Sequence, residues 1–366
     1  MQTSPTPEKR HCPPGRADLA TLGAASLAIC LVVGMYLLAD TAPESETQPS
    51  RASRKQALLA KFNVKGLTLE PNEIHAGGPD KDGIPSLTDP NTIAVDKAEF
   101  PAQSRIVAVT VKEQTRGYPL AVLTWHEAVN DMLGDVPIAV VYCPLCDSVS
   151  VVDRRNDEST VEFGISGLLH NSNVLLYDRK TDALWSQLGL EAVSGPHVGK
   201  SLKHLPWQMT TFERFAKDSP EADVLSRKTG HGRDYARNPY AAYFRSDRLM
   251  FPIARRDDRL DPKTRVVGVK IGNRIRAYPL DNIRKAPDGR LVDKLGSSEI
   301  VLKADGDTVS VVKVPEGASA VHTFWFAWAA FHPETSVHGR DDGARGKATT
   351  RPHAQPTSEA ANGRAD

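Results

Sequence analysis

The sequence contains little cysteine, no excess of charge of one sign and only one long hydrophobic run. Four cysteines among 366 residues are too few for a scaffold held together by disulfides. Lysine and arginine number 46 and aspartate and glutamate 45, so there is no positive excess to neutralise phosphates. We therefore expect no nucleic-acid partner, and we expect any important cysteine to act through its chemistry.

The hydrophobic run is Leu19–Ala39, which has 21 uncharged residues, whereas about 20 are needed to cross a bilayer. Lys9, Arg10 and Arg16 precede the run and acidic residues follow it, which places the N-terminus in the cytoplasm. The run is longer than the apolar region of a cleaved signal peptide, and no clear cleavage site follows it. We predict an uncleaved signal anchor, so that the chain is a single-pass membrane protein whose main domain is periplasmic or extracellular.

Two long stretches of the chain, about 160 residues apart, resemble each other. Residues 105–120 match residues 265–280, and IAVVYCPLCDSVSVV at 138–152 matches the shorter IVLKADGDTVSVV at 300–312. Repetition over this length predicts two copies of one supersecondary unit.

Apolar and branched residues alternate within each copy, and turn residues separate the runs, which favours strands over helices. Hairpins are predicted at 138–152, 174–187 and 300–312, and helices at 120–133 and 324–331. The predicted fold class is strand-rich α+β, with two tandem copies of one strand-hairpin-helix unit packed as one domain after an N-terminal transmembrane helix.

Composition and the repeat together predict the organisation of the chain. The segments are a cytoplasmic N-terminus (1–18), a transmembrane helix (19–39), a polar tether (40–82), the first repeat with the CPLC hairpin (83–226), a connector (227–246), the second repeat (247–338) and a disordered tail (339–366). The connector is aromatic, and we expect it to pack as a strap rather than to swing freely.

The CPLC sequence, Cys143 to Cys146, allows three interpretations. At a hairpin tip the two thiolates lie on one side and can share a zinc or copper ion. A CxxC pair is also the redox motif of thioredoxin-like proteins, although a strand pattern follows Cys146 here instead of the helix that lowers a thiol pKa. The third interpretation is a structural disulfide or a buried thiol pair.

The second copy has Ala-Asp-Gly-Asp (304–307) at the corresponding turn, so the fold itself does not demand the cysteines. We predict that exchanging Tyr142–Asp147 for this shorter turn changes stability by no more than about 1–2 kcal/mol, as for a surface loop.

A metal site needs further ligands, and Cys12 and Cys30 lie before or within the predicted span. His126, four residues before Asn130 on the predicted helix 120–133, is the candidate third ligand, and the second copy has no histidine there. Polar residues that are candidates for contact with a ligand are His170, Asn171, Asp178, Arg179 and Trp185. Asn171 is equally suited to form a turn, Asp178 to close a turn with Thr181, and Trp185 to pack in the core.

Several motifs in order, from IAVVYCPLCDSVSVVDRR to RDYARNPYAAYF, resemble the family catalogued as domain of unknown function 3179 over residues 83–338. The family's CPLC, WHE, SGLL, YDR and LWSQ elements fall on Cys143–Cys146, Trp125–Glu127, Ser166–Leu169, Tyr177–Arg179 and Leu184–Gln187. The resemblance implies an exported or membrane-anchored protein without established activity. The family commonly has Tyr at positions 170 and 231, which leaves His126 as the stronger histidine ligand, and usually has Gly where this chain has Asp147.

The leading hypothesis is a membrane-anchored external domain that binds copper(I) or zinc through Cys143, Cys146 and His126, in a binding or delivery role. The first alternative is a thiol-disulfide oxidoreductase that uses the same cysteines on an exported protein partner. The second is a hydrolase or carbohydrate-binding module around Asp178 and Trp185, which needs a second carboxylate about 5–9.5 Å away.

Overall fold

The computed structural model describes residues 50–156, 159–189, 191–306 and 308–340. The predicted cytoplasmic segment, the predicted transmembrane helix and residues 341–366 of the predicted tail lie outside these ranges. Among the described residues, no helix combines the length and the apolar character needed to cross a membrane.

Strands dominate the described residues. They are β1 (Ile74–Ala76), β2 (Leu87–Thr88), β3 (Thr92–Ala94), β4 (Arg105–Val111), β5 (Gln114–Pro119), β6 (Ala128–Leu133), β7 (Val136–Cys143), β8 (Ser148–Asp153), β9 (Phe163–His170), β10 (Asn173–Asp178), β11 (Leu184–Ser186), β12 (Glu191–Ala192), β13 (Trp207–Thr211), β14 (Asp223–Leu225), β15 (Arg265–Ile271), β16 (Arg274–Pro279), β17 (Arg290–Leu295), β18 (Ser298–Asp305), β19 (Thr308–Lys313), β20 (Ser319–Phe324) and β21 (Ser336–Val337).

The helices are short. They are α1 (Arg51–Leu59), α2 (Leu120–His126), α3 (Phe212–Asp218), α4 (Ala241–Phe244), α5 (Leu280–Lys285) and α6 (Trp325–Phe331), with 3₁₀ turns at Pro71–Glu73, Val95–Lys97, Gly195–His197 and Pro287–Gly289. The strand-rich α+β class predicted from the sequence is confirmed.

The strands form three sheets. The first sheet has the order β1-β9-β10-β11-β12, the second β17-β18-β19-β13-β4-β5-β14-β3, and the third β2-β6-β7-β8-β20-β15-β16-β21. The second sheet thus joins β17–β19 to strands from the first half of the chain, and the third joins β6–β8 to strands from the second half. Neither large sheet can form from one half alone.

The order of elements in the two halves corresponds. β4-β5-α2-β6-β7-β8 is followed later by β15-β16-α5-β17-β18-β19, and β13-α3-β14 by β20-α6-β21. One carboxylate contact also recurs. Asp131 accepts hydrogen bonds from Arg116 and Tyr118, both at 2.7 Å, and Asp293 accepts them from Arg276 and Tyr278 at 2.7 and 2.8 Å.

Strand β7 runs between two hydrophobic clusters. Because successive side chains of a strand point to opposite faces, Ile138, Val140 and Tyr142 belong to one cluster, and Val141 and Cys143 to the other. The second cluster also contains residues of β9, β10 and β11. Cys143, at the end of β7, therefore lies in the interface between the third sheet and the first.

The predicted helix over 120–133 is wrong beyond His126. Glu127 has φ 57° and ψ −32°, which ends the helix, and residues 128–133 form β6, in which Ala128 pairs with Val141. Pairing with the wholly buried β7 overrides the helical spacing of the apolar residues. His126 and Asn130 consequently do not share a helix face.

The predicted tether over 40–82 is too long, because much of it is folded. α1 contributes Leu58, at 1% exposure, to a hydrophobic cluster that includes Phe62 and Tyr177. β1 pairs with β9. The few apolar residues of this polar segment hold it in place because they pack against the first sheet and bury apolar surface there.

The predicted hairpins are confirmed by the pairing of β7 with β8, β10 with β11, and β18 with β19. The predicted helix at 324–331 is α6. The aromatic connector is packed, as predicted, since Tyr235 and Tyr243 are both 8% exposed.

Candidate functional site

The two cysteines of CPLC lie at the turn between β7 and β8. Cys143 ends β7 and pairs with Ser148, the first residue of β8. Both cysteines are free and buried, with 1% and 0% exposure. Both sulfur atoms approach one carbonyl oxygen, that of Ser172: Sγ of Cys146 lies 3.3 Å from it and Sγ of Cys143 3.9 Å. The thiols therefore converge on one point below the β9–β10 turn.

The two thiols have opposite pKa shifts. Burial raises the pKa of Cys143, but hydrogen bonds from the Cys146 side chain and from backbone N–H groups of Leu145, Cys146 and Val174 outweigh burial and lower it. Burial, the hydrogen bond to Cys143 and the negative charge of Cys143 raise the pKa of Cys146. Cys143 is therefore the group that ionises first.

The turn above the thiols is a two-residue hairpin loop. His170 pairs with Asn173, and Asn171 and Ser172 have φ of 49° and 61°, as a type I′ turn requires. Asn171 is thus a turn former, one of the two roles open to it from the sequence. Its Oδ1 accepts a hydrogen bond from the backbone N–H of Ala254 at 2.7 Å, so the loop is tied to the chain that follows the connector.

A buried amide network lies beside the thiols. Oε1 of Gln187 accepts hydrogen bonds from Asn173 at 2.7 Å and from Ser148 at 2.8 Å, and its amide donates to Ser150 at 3.1 Å. The side chain of Asn173 also hydrogen-bonds Cys146, which offsets part of the rise in the pKa of that thiol. Because these side chains satisfy one another's hydrogen-bonding groups, the network holds the polar side of the site in one arrangement.

Glu127 places a carboxyl group in the same interior. It follows the last residue of α2 and is 6% exposed, and its backbone oxygen accepts a hydrogen bond from the N–H of Tyr142 at 2.7 Å. Burial, and then the charge of Cys143, raise the pKa of this carboxyl well above its usual range. The site thus contains one acid in electrostatic contact with both thiols.

Asp147 anchors the other side of the turn. Its carboxylate is 0% exposed and accepts two hydrogen bonds from Arg105, at 2.8 and 2.9 Å, one from Arg265 at 2.8 Å and one from Tyr142 at 2.9 Å. Burial alone raises the pKa of Asp147, but the charges of Arg105, His322 and Arg265 hold it well below the usual range. The two arginines begin β4 and β15, so this carboxylate joins the two halves of the chain.

His126 contacts the connector. Nδ1 lies 2.7 Å from the Pro85 carbonyl oxygen and Nε2 lies 2.7 Å from the Tyr235 hydroxyl. The neighbouring Trp125 donates from its indole nitrogen to the carbonyl oxygen of Arg237 at 3.2 Å. The WHE motif therefore has two parts: Trp125 and His126 hold the connector, and Glu127 is a buried acid that interacts electrostatically with both thiols.

Buried histidines make stability depend on pH. Burial lowers the pKa of His126 and of His322 to about 4, so below about pH 6.5 the unfolded chain binds protons that the folded chain does not. We expect the free energy of unfolding to fall as pH decreases from about 6.5 towards 4. Denaturant titrations across this range test it. The replacement His126→Gln should flatten the dependence, and an unchanged slope would contradict this account of His126.

The remaining candidate residues are spread over the first sheet. His170 lies against Glu73, with Nε2 and Oε2 separated by 3.3 Å, and against the ring of Phe331. Arg179 binds the carboxylate of Asp82 at 2.9 Å. These contacts join the ends of β9 and β10 to neighbouring segments of the chain.

Asp178 and Trp185 have the structural roles expected of them. Asp178 accepts a hydrogen bond from Thr181 at 2.6 Å, which closes the β10–β11 turn. Trp185 is 3% exposed and packs edge-on against Phe163 with ring centroids 5.6 Å apart. A hydrolase or carbohydrate site at these residues gains no support from these contacts.

Within the described ranges, no group of three or more His, Cys, Asp or Glu side chains is arranged to hold a metal ion. The structure brings Cys143 and Cys146 together and gives both ring nitrogens of His126 other partners. A metal ion at the two thiols stays a prediction.

Sequence reasoning missed three elements of the site. Glu127 lies in the WHE motif, but the helix predicted over 120–133 places it in mid-helix instead of at the helix end where the structure has it. Asp147 was noticed only as a departure from glycine, although Arg105 and Arg265 occupy equivalent positions in the two aligned stretches. Tyr243, whose hydroxyl donates to the Leu145 carbonyl oxygen at 2.9 Å, lies in the RDYARNPYAAYF motif, but nothing in the sequence links that motif to the CPLC turn.

Fold and site together define a strand-rich α+β protein with a buried dithiol turn. The chain belongs to the family described as "Protein of unknown function (DUF3179)", whose model matches residues 81–320. The resemblance read from the motifs is therefore confirmed. No curated protein and no solved structure matches the chain.

Proposed function

We propose that the chain is a dithiol protein in which Cys143 and Cys146 interconvert with an intramolecular disulfide, by exchange with the disulfide of a small thiol or an exported protein. The observation that carries the proposal is the pair of free thiols meeting at the Ser172 carbonyl oxygen with opposite pKa shifts. A thiol that ionises first, beside one that keeps its proton, is the arrangement that stepwise exchange needs.

The exchange takes two steps. The Cys143 thiolate attacks a sulfur of the partner disulfide, the partner S–S bond breaks, and one partner thiolate leaves and takes a proton. Cys146 then loses its proton and attacks Sγ of Cys143, and the second partner thiol leaves. Two thiols of the chain become one disulfide, and one partner disulfide becomes two thiols, so atoms and electrons balance.

Access to the thiols requires movement, because both sulfurs are buried. The connector covers the turn through the hydrogen bond of Tyr243 to Leu145. The segment after it covers the β9–β10 loop, where Oγ of Ser172 donates to the Phe251 carbonyl oxygen at 2.7 Å. Neither contact belongs to a sheet ladder, so these contacts are the part of the enclosure that opens at the smallest cost in free energy.

The reversible disulfide is tested on the full chain in detergent, equilibrated with mixtures of reduced and oxidised glutathione. We expect the peptide that carries Cys143 and Cys146 to pass between dialkylated and disulfide forms in mass spectra after alkylation. Cys143→Ser and Cys146→Ser should each abolish the disulfide form. A wild-type peptide that stays reduced at every ratio would overturn the proposal.

A soft metal ion at the same two thiols is the second candidate. The observation in its favour is that two sulfur ligands are preset on one short turn and point to one place. Elemental analysis of the reduced full chain tests it. About one copper or zinc per chain, lost in Cys143→Ser, supports metal binding or delivery, and a metal-free chain with a reversible disulfide supports the redox proposal.

We also propose two further features of the chain: an N-terminal membrane anchor and an origin in two tandem copies of one unit. A membrane anchor at residues 19–39 is supported by the length and charge asymmetry of that segment. An origin in two tandem copies is supported by the matching element order and by the recurring carboxylate contacts of Asp131 and Asp293.

A further inference from the structure

A cleft with several basic side chains lies beside the CPLC turn. Its volume is about 330 Å³, which is within the range of small-molecule sites. Three of the residues that line it are basic, one is acidic and two are aromatic, namely Lys263, Arg265, Arg284, Asp281, Phe244 and Phe324. We call it the cationic cleft, and its composition suits a ligand that has both negative charge and apolar surface.

Lys263 contributes an ammonium group whose hydrogen bonds leave its charge in place. Nζ donates to the carbonyl oxygens of Tyr243 and Ser246, which are uncharged acceptors, and it lies 3.5 Å from the centroid of the Tyr243 ring. Burial lowers the pKa of Lys263 to about 8, and the charge of Asp247 acts in the opposite direction. A partly desolvated ammonium group is stabilised by an anion that comes close to it.

The two arginines of the cleft are held in position by carboxylates. Nη1 of Arg284 donates to Asp281 at 2.8 Å, and Nε of Arg265 donates to Asp147 at 2.8 Å. The Asp147 carboxylate is shared, because it also binds Arg105. These contacts fix both guanidinium groups at the wall, and guanidinium groups are well suited to bind carboxylates.

The first half of the chain supplies an internal comparison. At the aligned positions, about 160 residues earlier, it has Gln103 where the second half has Lys263, and Thr124 where the second half has Arg284. The two halves nevertheless build the same order of elements, β4-β5-α2 and β15-β16-α5. The fold itself therefore does not require a basic residue at either position.

Two residues of the cationic cleft bind the CPLC turn directly. The backbone N–H of Phe324 donates to the carbonyl oxygen of Cys146 at 2.7 Å, and Arg265 binds the carboxylate of Asp147, the next residue. The ring of Phe324 also packs against that of Phe244, with centroids 6.0 Å apart. The cleft therefore adjoins the dithiol turn, on the side where the connector covers it.

We propose that the cationic cleft binds the carboxylate groups of a small disulfide, so that the dithiol selects anionic disulfides of low molecular weight as its exchange partners. This inference rests on the proposed dithiol function. The basic groups receive the carboxylates, and the rings of Phe244 and Phe324 cover apolar parts of the same molecule. Exchange then follows the two steps given above, and no further reactant is needed.

Binding in the cleft also acts on the cover of the thiols. The hydroxyl of Tyr243 donates to the Leu145 carbonyl oxygen at 2.9 Å, and the carbonyl oxygen of Tyr243 accepts a hydrogen bond from Lys263. An anion bound to the Lys263 ammonium group competes with that carbonyl oxygen. The ligand therefore weakens the attachment of the connector next to the contact that must open to expose the turn.

Binding is measured by calorimetric titration of the full chain in detergent, with Cys143→Ala and Cys146→Ala so that no exchange takes place. The probe is oxidised glutathione, a disulfide with a net negative charge. We expect Lys263→Gln to weaken binding roughly tenfold and Arg284→Thr to weaken it roughly threefold. Lys217→Gln, a change at an exposed lysine of α3, is the matched control and should bind as the parent does.

The link to exchange is measured on the full chain with Cys12→Ser and Cys30→Ser, by mass spectrometry after an acid quench. We expect oxidised glutathione to oxidise the dithiol of Lys263→Gln roughly tenfold more slowly than that of the parent. Hydroxyethyl disulfide, which is uncharged, should oxidise both chains at the same rate. An equal loss with both reagents would show that the substitution disturbs the thiols, and would overturn recognition by the cleft.

The outcomes separate the two proposals. If the parent forms its internal disulfide but Lys263→Gln binds oxidised glutathione as tightly as the parent, the role of the cationic cleft is overturned and the dithiol function stands. If Lys263→Gln does not fold, Arg284→Thr decides by the same two measurements. A parent chain that forms no internal disulfide with either reagent overturns both proposals.

Discussion

Asp147→Asn should destabilise the folded chain by about 3–5 kcal/mol, the range found when one partner of a buried ion pair is removed. The carboxylate is 0% exposed and neutralises Arg105 and Arg265, which come from β4 and β15. An amide keeps the shape of the side chain but removes the negative charge that both guanidinium groups contact. The measurement is the unfolding midpoint in urea, converted with the slope of the transition.

The pH dependence of this variant supports the same account. Because the pKa of Asp147 is depressed in the folded chain, its stabilisation is present above the ordinary aspartate pKa and is lost as pH falls below that value. The deficit of Asp147→Asn relative to the parent should therefore shrink in acid. Asp135→Asn removes an exposed partner of Lys112 and should leave the midpoint unchanged. A deficit at Asp147 as small as that at Asp135 would contradict a structural role for the carboxylate.

The fold class and several hairpins could be predicted because alternation of apolar residues is a local property. The helix predicted over 120–133 failed at Glu127, where pairing of β6 with the buried β7 decides the structure. The sequence of residues 120–133 alone does not show that a buried strand, β7, pairs with them. The same holds for α1, whose single buried residue, Leu58, finds its partners on the first sheet.

The part of the candidate site that could be predicted is the part whose residues form a recognisable local motif. Cys143 and Cys146 were found because a CxxC pair is conspicuous, whereas the partners of His126 could not be read from its position. Its ring nitrogens bind Pro85 and Tyr235, which are distant in sequence. Long-range contacts such as these depend on the interleaving of the two large sheets, and no local pattern encodes that topology.

Exchanging Tyr142–Asp147 for the shorter turn of the second copy should unfold the chain or cost more than about 5 kcal/mol, because two buried carbonyl groups lose their partners and the buried Tyr142 ring is lost. The structure corrects the sequence-based figure of about 1–2 kcal/mol, because this turn is buried and is not a surface loop. The carbonyl oxygen of Leu145 binds Tyr243, and that of Cys146 binds the backbone N–H of Phe324 at 2.7 Å. A turn shortened by two residues cannot reach these donors, and each buried group left unpaired costs about 1–3 kcal/mol.

The thiols themselves should matter far less for folding than the backbone of their turn. Cys143→Ala with Cys146→Ala keeps the two additional residues, Asp147 and every carbonyl contact of the turn, so the double variant should fold with a loss of no more than about 1–3 kcal/mol from reduced packing. Calorimetry of the turn exchange and of the double variant compares the two directly. A turn exchange that melts within a few degrees of the parent would show that the contacts of Leu145 and Cys146 are dispensable. A double variant as unstable as the turn exchange would show instead that the sulfur atoms hold the fold, and the cysteines would then be structural.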